Sequence, residues 1–396
     1  MALILPPADW RDRAGLAELV AALKDARFVG GAVRDTLLGL PVSDVDLATP
    51  LEPPEVVHRL EAAGIKAIPT GIAHGTVTAV SQGTVVEVTT LRRDIATDGR
   101  HAVVAYTDDW HEDAARRDFT INALYADPSS GRVDDFFGGA DDLAARRVRF
   151  IGDPLRRISE DHLRILRFFR FHARFGEVVD AEGLAACALR ANDLMALSRE
   201  RIAAELLKLL VAPGAVAAMR LMLDHGILRA VLPEMADADG LASLASRESA
   251  AGIPPDAIRR LAALVPAPDA DEVGARLKLS NADRKRLVAA TGGAGDEGPR
   301  ALAYRVGVTS AVDRLLLAGA DPAAIKGWRP PRLPIGGGAL VARGLDKGPA
   351  VAAALKQVEN HWVAEGFPDQ ARVESIADAV VGAIMRQAAD ASSGRA

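Results

Sequence analysis

Residues 28–49, FVGGAVRDTLLGLPVSDVDLAT, decide the fold class of this 396-residue chain. They predict a short strand at 28–29, a glycine turn, a helix over 32–38 that Gly39 caps, and a strand over 42–47. A strand that leads through a turn and a helix into another strand is typical of a mixed α/β domain. We therefore expect a small sheet in the N-terminal part of the chain.

The flanking residues extend this pattern. A leading helix is predicted within 1–26, another helix over 53–64, and a hairpin of β-branched strands at 76–80 and 84–91. After about residue 145, helical periodicity replaces the strand patterns. The predicted architecture is therefore an α/β domain followed by a long all-α part.

The composition indicates a soluble, globular protein of several modules: 49% of the residues are hydrophobic, 26% are charged, and the formal net charge is −5. No apolar run approaches the roughly 18 residues of a membrane span, and the N-terminal sequence lacks the basic and apolar regions of a secretory signal. The single cysteine, Cys187, excludes an internal disulfide. We expect a cytoplasmic location, with no membrane association and no obligatory protein partner.

A basic segment interrupts this acidic chain. Residues 146–174 contain nine arginines against three acids. Such a local excess suits a phosphate-binding surface, and it equally suits a solvated helix face with structural ion pairs.

Asp44 and Asp46 stand two residues apart on the predicted strand, so both carboxylates project to one side of it. Like charges held together favour a cation between them, and carboxylate oxygens suit Mg²⁺. Two such ions would activate an attacking 3′-OH and stabilise the oxygen of leaving pyrophosphate. The alternative is a pair of solvated acids. Glu87, within a predicted strand, could face the same metals or lie on an exposed edge.

Two groups of residues suit the phosphates of a nucleotide. Gly30 and Gly31 allow backbone N–H groups to approach an anion at a helix N-terminus, and Arg34 adds a charged donor one turn later. Arg116 and Arg117 could bind a triphosphate or organise the site, and their sequence does not distinguish them. The alternative for the glycines is an ordinary strand–helix turn.

Residues 160–167, EDHLRILR, predict one continuous helix, on which Asp161 and Arg164 lie side by side. An acceptor beside a donor matches cytosine and adenine, which each present an amino group next to an accepting ring nitrogen. Guanine and uracil would leave both protein groups unpaired, which is penalised. The pair could therefore select C and A without a template; the alternative is a surface ion pair. Arg167 and Arg170 turn progressively away and would meet phosphates or hold the helix.

Five segments within residues 28–210 resemble, in order, the motifs of bacterial and eukaryotic-type tRNA nucleotidyltransferases and bacterial poly(A) polymerases. They are FVGGAVRDTLLGLPVSDVDLAT, EDAARRDFTINAL, DPSSGRVDDFFGGADDL, EDHLRILRFFRF and LSRERIAAELLKLL. The resemblance implies a polymerase-β-like palm in the head domain, 1–145, and a helical neck, 146–215, for base recognition and RNA binding. It also implies a helical body, 216–328, and a helical, tRNA-binding tail, 329–396.

The resemblance also implies roles for site residues. Asp44, Asp46 and Glu87, which falls where the family has an acid-bearing strand, would be catalytic, and Asp44 and Asp46 would hold the metal. The expected cofactor is Mg²⁺ in a two-ion mechanism, the expected substrates are CTP and ATP, and the expected partner is the 3′ end of tRNA. The expected nucleotide-binding residues are Gly30, Gly31, Arg34, Arg116, Arg117, Asp161, Arg164, Arg167 and Arg170.

Three segments bear on the choice within this family. Residues 92–112 match its flexible loop, which is implicated in the switch from C to A addition. Residues 70–77 lack the basic string typical of the poly(A) polymerases, which favours tRNA as the substrate. Residues 334–367 look like a tail motif, although Ala339 stands where relatives commonly carry an acid.

The sequence thus predicts template-independent addition of C and A to the tRNA 3′ end with release of pyrophosphate. Poly(A) synthesis and addition of A alone are the alternatives within the same class of enzyme. The alternative outside that class is an inactive RNA-binding protein on the same fold, and retention of Asp44 and Asp46 argues against it.

Overall fold

The computed structural model describes three stretches of the chain, residues 3–72, 75–97 and 102–393. A sheet-containing N-terminal region is followed by helices, which confirms the predicted fold class. Within the described stretches, every helix is too short or too polar to cross a membrane. By its internal contacts the chain divides into two compact units, residues 1–238 with 276–278, and residues 239–275 with 279–396.

All nine strands of the described residues lie in the first unit. They are β1 Arg27–Val29, β2 Val45–Thr49, β3 Lys66–Gly71, β4 Thr76–Ser81, β5 Thr84–Thr90, β6 Arg92–Thr97, β7 Ala102–Tyr106, β8 Leu124–Ala126 and β9 Val133–Asp135. The α-helices of this unit are α1 Leu16–Leu23, α2 Gly31–Leu37, α3 Pro53–Ala62, α4 Trp110–Ala115, α5 Gly139–Ala144, α6 Pro154–Glu160, α7 Arg164–Phe175, α8 Ala181–Leu189, α9 Arg199–Leu210 and α10 Ala215–Asp224.

Seven strands form one sheet in the order β3-β4-β5-β2-β1-β8-β9, and β6 and β7 form a separate hairpin. In the seven-stranded sheet, neighbouring strands are antiparallel except β2 and β5, which pair in parallel. In β5, Val86 and Val88 are buried while Glu87 is exposed, as an alternating strand sequence requires. The parallel register sets Asp46 of β2 directly opposite Glu87.

A cluster of phenylalanines anchors α7 to the sheet region. Phe119 and Phe150 pair through an isolated bridge, with ring centres 4.9 Å apart, and Phe168 of α7 stacks on Phe150 at 5.5 Å. All three side chains are fully buried. Burial of such a ring stabilises a fold by about 1.5–3 kcal/mol. Helix α7 and its arginines are therefore held firmly beside the sheet.

The second unit is helical throughout its described residues. Its α-helices are α11 Asp239–Ala251, α12 Ala257–Ala262, α13 Ala270–Arg276, α14 Asn281–Ala290, α15 Pro299–Val306, α16 Val308–Ala318, α17 Gly337–Val341, α18 Pro349–Ala364 and α19 Gln370–Ser393. The last residue of α13, Arg276, groups with the first unit. Trp362 is buried in one core cluster, where its ring contacts those of Tyr304 and Phe367.

Buried ion pairs join the helices of this second unit. The Glu248 carboxylate accepts hydrogen bonds from Nε of Arg259 at 2.7 Å and from Nε of Arg260 at 2.8 Å. The Asp313 carboxylate, fully buried, accepts from Nε of Arg286 at 2.8 Å. Charges so far from water are tolerated because each has an opposite charge beside it.

Several predicted elements differ from those observed. The helix expected within 1–26 is a 3₁₀ turn at Asp9–Asp12 followed by α1, because Gly15, with φ 78°, interrupts the helical backbone. The strand expected over 42–47 begins only at Val45. The loop expected over 92–112 contains β6, β7 and the start of α4, and its residues 98–101 lie outside the described ones. The domain boundaries placed after 145, 215 and 328 stay predictions.

Candidate active site

Carboxylates meet where β2 and β5 run in parallel. Asp46 stands opposite Glu87, and Asp44 immediately precedes β2 with an exposed side chain that accepts a 2.8 Å hydrogen bond from the Ser43 hydroxyl. Burial, followed by the negative charges of Glu87 and Asp44, raises the pKa of Asp46 to about 6, although Arg117 opposes the shift. An ionised Asp46 is therefore costly here unless a cation lies close to it.

The donor set fits a magnesium ion that is shared with a substrate. Among the residues that the structure describes, no group of three or more His, Cys, Asp or Glu side chains is arranged to hold a metal ion. Mg²⁺ usually binds through one or two carboxylates and keeps waters or substrate phosphates as further ligands. Asp44 and Asp46 suit that mode. Glu87 lies beside Asp46, and its catalytic role stays a prediction.

The two glycines form the turn between β1 and α2. Gly30 has φ 64° and ψ −118°, a conformation almost restricted to glycine, and α2 begins at Gly31. A Cβ atom at Gly30 would lie 3.7 Å from Nη1 of Arg117. The turn therefore brings bare backbone against a guanidinium group.

Arg116 and Arg117 share one buried carboxylate but face different groups. Arg116 donates from Nε to Asp113 at 2.8 Å, whereas Arg117 donates from Nη2 to Asp113 at 3.1 Å and from Nε to the Tyr125 hydroxyl at 2.9 Å. Burial opposes ionisation of Asp113, but the charges of Arg117 and Arg116 and a Tyr125 hydrogen bond outweigh it and lower its pKa to about 2. Of the two arginines, Arg117 is the one whose positive charge lowers the pKa of Asp46.

Arg34 is buried and engaged in contacts within the protein. Its side chain is buried, Nε donates to Asp35 at 2.8 Å, and Nη1 donates to Asn122 at 2.5 Å. Its guanidinium lies 4.4 Å from the ring centre of Phe175 on α7. Burial lowers the pKa of Arg34, while the negative charge of Asp35 counteracts that effect. Arg34 joins α2 to α7, and the expected phosphate contact stays a prediction.

The continuous helix predicted over 160–167 is wrong. Helix α6 ends one residue before Asp161, which is extended at φ −152°, and α7 begins at Arg164. The Asp161 carboxylate accepts a 3.1 Å bond from the backbone N–H of Leu163, a local contact that competes with helical hydrogen bonding. Nη2 of Arg201 also donates to both Asp161 oxygens, at 3.0 and 3.1 Å.

Arg164 consequently does not present its donors beside Asp161. Nη1 donates to Glu160 at 2.7 Å and to the Arg157 carbonyl at 3.0 Å, and Nη2 donates to the Arg116 carbonyl at 3.0 Å. The guanidinium beside Asp161 belongs instead to a residue forty positions later in the chain. Residue spacing does not predict this contact. The only indication in the sequence is that Arg201 lies within the fifth motif.

The next two arginines of α7 are engaged in ion pairs. Arg167 donates from Nε and Nη2 to Asp118, at 2.7 and 2.5 Å, and Arg170 donates from Nε to Glu205 at 2.5 Å. Burial opposes ionisation of Asp118, but Arg167 and an Asn122 hydrogen bond outweigh it and lower its pKa to about 2. Of the two predicted roles, these contacts favour holding the helix.

The fold and the carboxylate pair define a nucleotidyltransferase. Residues 26–149 match the family described as poly A polymerase head domain, and residues 179–239 match the probable RNA and SrmB-binding site of polymerase A. The mouse protein CCA tRNA nucleotidyltransferase 1, mitochondrial, is 35% identical over 373 residues, which cover 87% of this chain and 84% of that protein. The chain belongs to the CCA tRNA nucleotidyltransferase family.

Bacterial relatives agree with this placement. The CCA-adding enzyme of Anoxybacillus flavithermus is 39% identical over 214 residues, which cover 54% of this chain and 52% of that enzyme. The crystal structure of Bacillus stearothermophilus CCA-adding enzyme in complex with CTP aligns with a TM-score of 0.67 at 28% identity, covering 87% of this chain and 91% of the other. The predicted family and enzyme class are thereby confirmed.

Proposed function

We propose that this protein completes the CCA end of tRNA, adding C from CTP and A from ATP without a template. The observation that carries the proposal is the parallel register that sets Asp46 beside Glu87. The positive charge of Arg117 also interacts with the carboxylate of Asp46. The names of the relatives support the substrates, because one names tRNA and one solved structure holds CTP.

The reaction transfers a nucleotidyl group to the RNA end. The 3′-OH of the tRNA attacks the α-phosphorus in line, a new phosphodiester bond forms, and the bond to the β-phosphate oxygen breaks as pyrophosphate leaves. Asp44 and Asp46 would hold Mg²⁺, which when bound supplies activation of the hydroxyl and stabilisation of the leaving oxygen. Their carboxylates also orient the attacking end against the α-phosphate.

Arg117 is suited to the triphosphate. Its Nε and Nη2 are held by Tyr125 and Asp113, so the guanidinium is fixed in place, and Nη1 lies against Gly30. A guanidinium fixed before binding loses little side-chain entropy when it meets a phosphate. The absence of a side chain at Gly30 leaves room for phosphate oxygens beside Nη1.

Asp161 is suited to the nucleotide base. Arg201 fixes its carboxylate, which can still accept a further bond from the exocyclic amino group of cytosine or adenine. Uracil and guanine present a carbonyl at the equivalent position and would leave the carboxylate unpaired. We therefore assign Asp161 to base selection and Arg201 to positioning it.

Three tRNA transcripts test the proposed function: one without CCA, one ending in C, and one ending in CC, each incubated with labelled CTP or ATP and Mg²⁺. We expect C to enter the first two and A to complete all three once C is in place. Entry of A alone, after CC only, would show an A-adding enzyme. Long A tails on any RNA would show a poly(A) polymerase.

Replacing Arg201 tests the positioning of Asp161. In an Arg201→Ala protein, we expect the preference for CTP over UTP to fall about tenfold or more, because an unanchored carboxylate loses its alignment with the base. The measurement is the ratio of kcat/KM for the two nucleotides on the transcript without CCA.

The matched control is Arg190→Ala, because Arg190 also pairs with an aspartate, Asp193, at 2.5 Å and similar exposure, on the same unit. It should leave the CTP/UTP ratio unchanged, and Arg201→Lys should restore part of the ratio. Equal loss for both nucleotides in the Arg201→Ala protein would contradict the positioning role.

A further inference from the structure

Arg13 holds the backbone that leads into Asp44. Its Nη2 donates to the carbonyl of Val42 at 2.7 Å, and its Nη1 donates to the carbonyl of Ser43 at 3.0 Å. We propose that Arg13 is a positioning residue, which keeps the Asp44 carboxylate in place for the metal ion. The inference rests on the proposed function, because it concerns how that site supports one of its two expected metal ligands.

The ladder between β2 and β5 fixes Asp46 but stops short of Asp44. Its first pair is Val45 with Val86, one residue after Asp44, and residues 41–44 belong to neither a helix nor a strand. The Asp44 side chain is also exposed, so packing restrains it little. A backbone segment outside regular structure depends on other hydrogen bonds for its position, and Arg13 supplies two of them.

Ser43 connects the guanidinium of Arg13 to the carboxylate of Asp44. The Ser43 carbonyl accepts the bond from Arg13, and the hydroxyl of the same residue donates to Oδ2 of Asp44 at 2.8 Å. The carboxylate is thereby oriented, while its remaining lone pairs stay available to a metal ion. Groups that orient a metal ligand in this way commonly contribute roughly 10- to 100-fold to metal affinity or activity.

The backbone of Arg13 is itself anchored to the elements around the site. Trp10, three residues earlier, is buried; its indole N–H donates to the Thr36 hydroxyl of α2 at 2.8 Å, and its ring centre lies 4.8 Å from that of Phe28 in β1. The N–H of Leu16, the first residue of α1, donates to the Arg13 carbonyl at 3.1 Å. The guanidinium therefore reaches Ser43 from a fixed base.

The geometry of a guanidinium suits this task. Two nitrogens of one planar group meet two successive carbonyls, so the relative position of the carbonyls is fixed as well. A lysine has one nitrogen on a flexible stem and would hold them less firmly. Arg13 also lies outside both matched family segments, 26–149 and 179–239, and outside the five motifs, so the resemblance assigns it no role.

Mn²⁺ binding, measured by electron paramagnetic resonance on the full chain without nucleotide or RNA, tests this role. Mn²⁺ takes the same oxygen ligands as Mg²⁺. Arg13→Ala should weaken Mn²⁺ binding about tenfold, and Arg13→Lys should restore part of it. In an Asp44→Asn protein, adding Arg13→Ala should have little further effect, because a residue that acts through Asp44 then has no ligand to position. The Mg²⁺ concentration for half-maximal CTP incorporation should rise by a similar factor in the Arg13→Ala protein.

The matched control is Arg11→Ala. Arg11 lies in the 3₁₀ turn just before Arg13, and its Nη2 donates to a backbone carbonyl as well, that of Pro128 between β8 and β9, at 2.9 Å. It should bind Mn²⁺ like the wild type. Equal weakening by Arg11→Ala and Arg13→Ala would indicate a general loosening of the N-terminal segment and overturn the proposal. Unchanged Mn²⁺ binding by Arg13→Ala, or a loss that persists undiminished in the Asp44→Asn background, would also overturn it.

These outcomes do not depend on catalysis. A wild-type protein that incorporates no nucleotide refutes the proposed function alone, while Mn²⁺ binding that requires both Asp44 and Arg13 still supports the positioning role.

Discussion

Replacement of Asp46 by Asn is expected to reduce nucleotide incorporation at least about 10³-fold, the largest loss among the site residues. The carboxylate is an expected metal ligand, and metal stabilisation of phosphoryl transfer is worth several kcal/mol, of which each 1.4 kcal/mol is about a factor of ten in rate. Single-turnover incorporation of labelled CTP, at saturating RNA and Mg²⁺, measures the loss.

Asp46→Asn should not unfold the protein. The pKa of Asp46 is raised to about 6, so its ionised form is disfavoured by the fold at neutral pH and its removal should leave the unfolding midpoint equal or higher. Binding of the CC transcript should persist. Glu87→Gln serves as the companion variant, with a smaller loss if Glu87 only neighbours Asp46. Residual incorporation within about tenfold of wild type by Asp46→Asn would contradict the assignment.

The second large effect concerns stability. Asp313→Ala should destabilise the second unit by about 3 kcal/mol, the low end of the range for a broken buried ion pair, because Arg286 and Arg259 lose this buried carboxylate and keep only Asp256 and Glu248 as partners. Arg286 is partly exposed and can recover some hydration, which places the expected loss near 3 kcal/mol. Urea unfolding monitored by circular dichroism should show an earlier transition for part of the signal, since the chain has two units.

Asp378→Ala is the control for this effect. Its carboxylate also accepts a bond from an arginine of the second unit, Arg343 at 2.6 Å, but it is 67% exposed. An exposed pair contributes at most about 1 kcal/mol, so the unfolding curve should hardly move. Comparable shifts for Asp313→Ala and Asp378→Ala would show that the buried network does not stabilise the unit.

The sequence predicted those features that depend on neighbours along the chain. The hairpin of β4 and β5 follows from alternating β-branched residues, and the turn at Gly30 follows from a pair of glycines between an apolar strand and a helix. The placement of Glu87 opposite Asp46 was only one of two alternatives that the sequence left open, because it depends on the pairing of β2 with β5.

Features that depend on distant partners escaped prediction. The helix was expected to run through Asp161 because helical spacing continues there, but the carboxylate accepts hydrogen bonds from the backbone N–H of Leu163 and from Arg201 instead. The contacts of Arg34 with Asn122, 88 residues later, and with Phe175 were likewise absent from the sequence analysis, whereas its expected phosphate contact stays a prediction. Hydrophobic periodicity describes one segment at a time, so it does not predict contacts between residues that are distant in the sequence.

The distribution of the site along the chain has a consequence during synthesis. Asp46 reaches Glu87 only after α3, β3 and β4 have folded between them, and Asp161 meets Arg201 only when α9 exists. Such non-local contacts form late, because the intervening chain must be ordered first. A nascent chain on the ribosome would thus bring together Asp46 and Glu87, the carboxylates proposed for catalysis, before Arg201 anchors Asp161, the residue proposed for base selection.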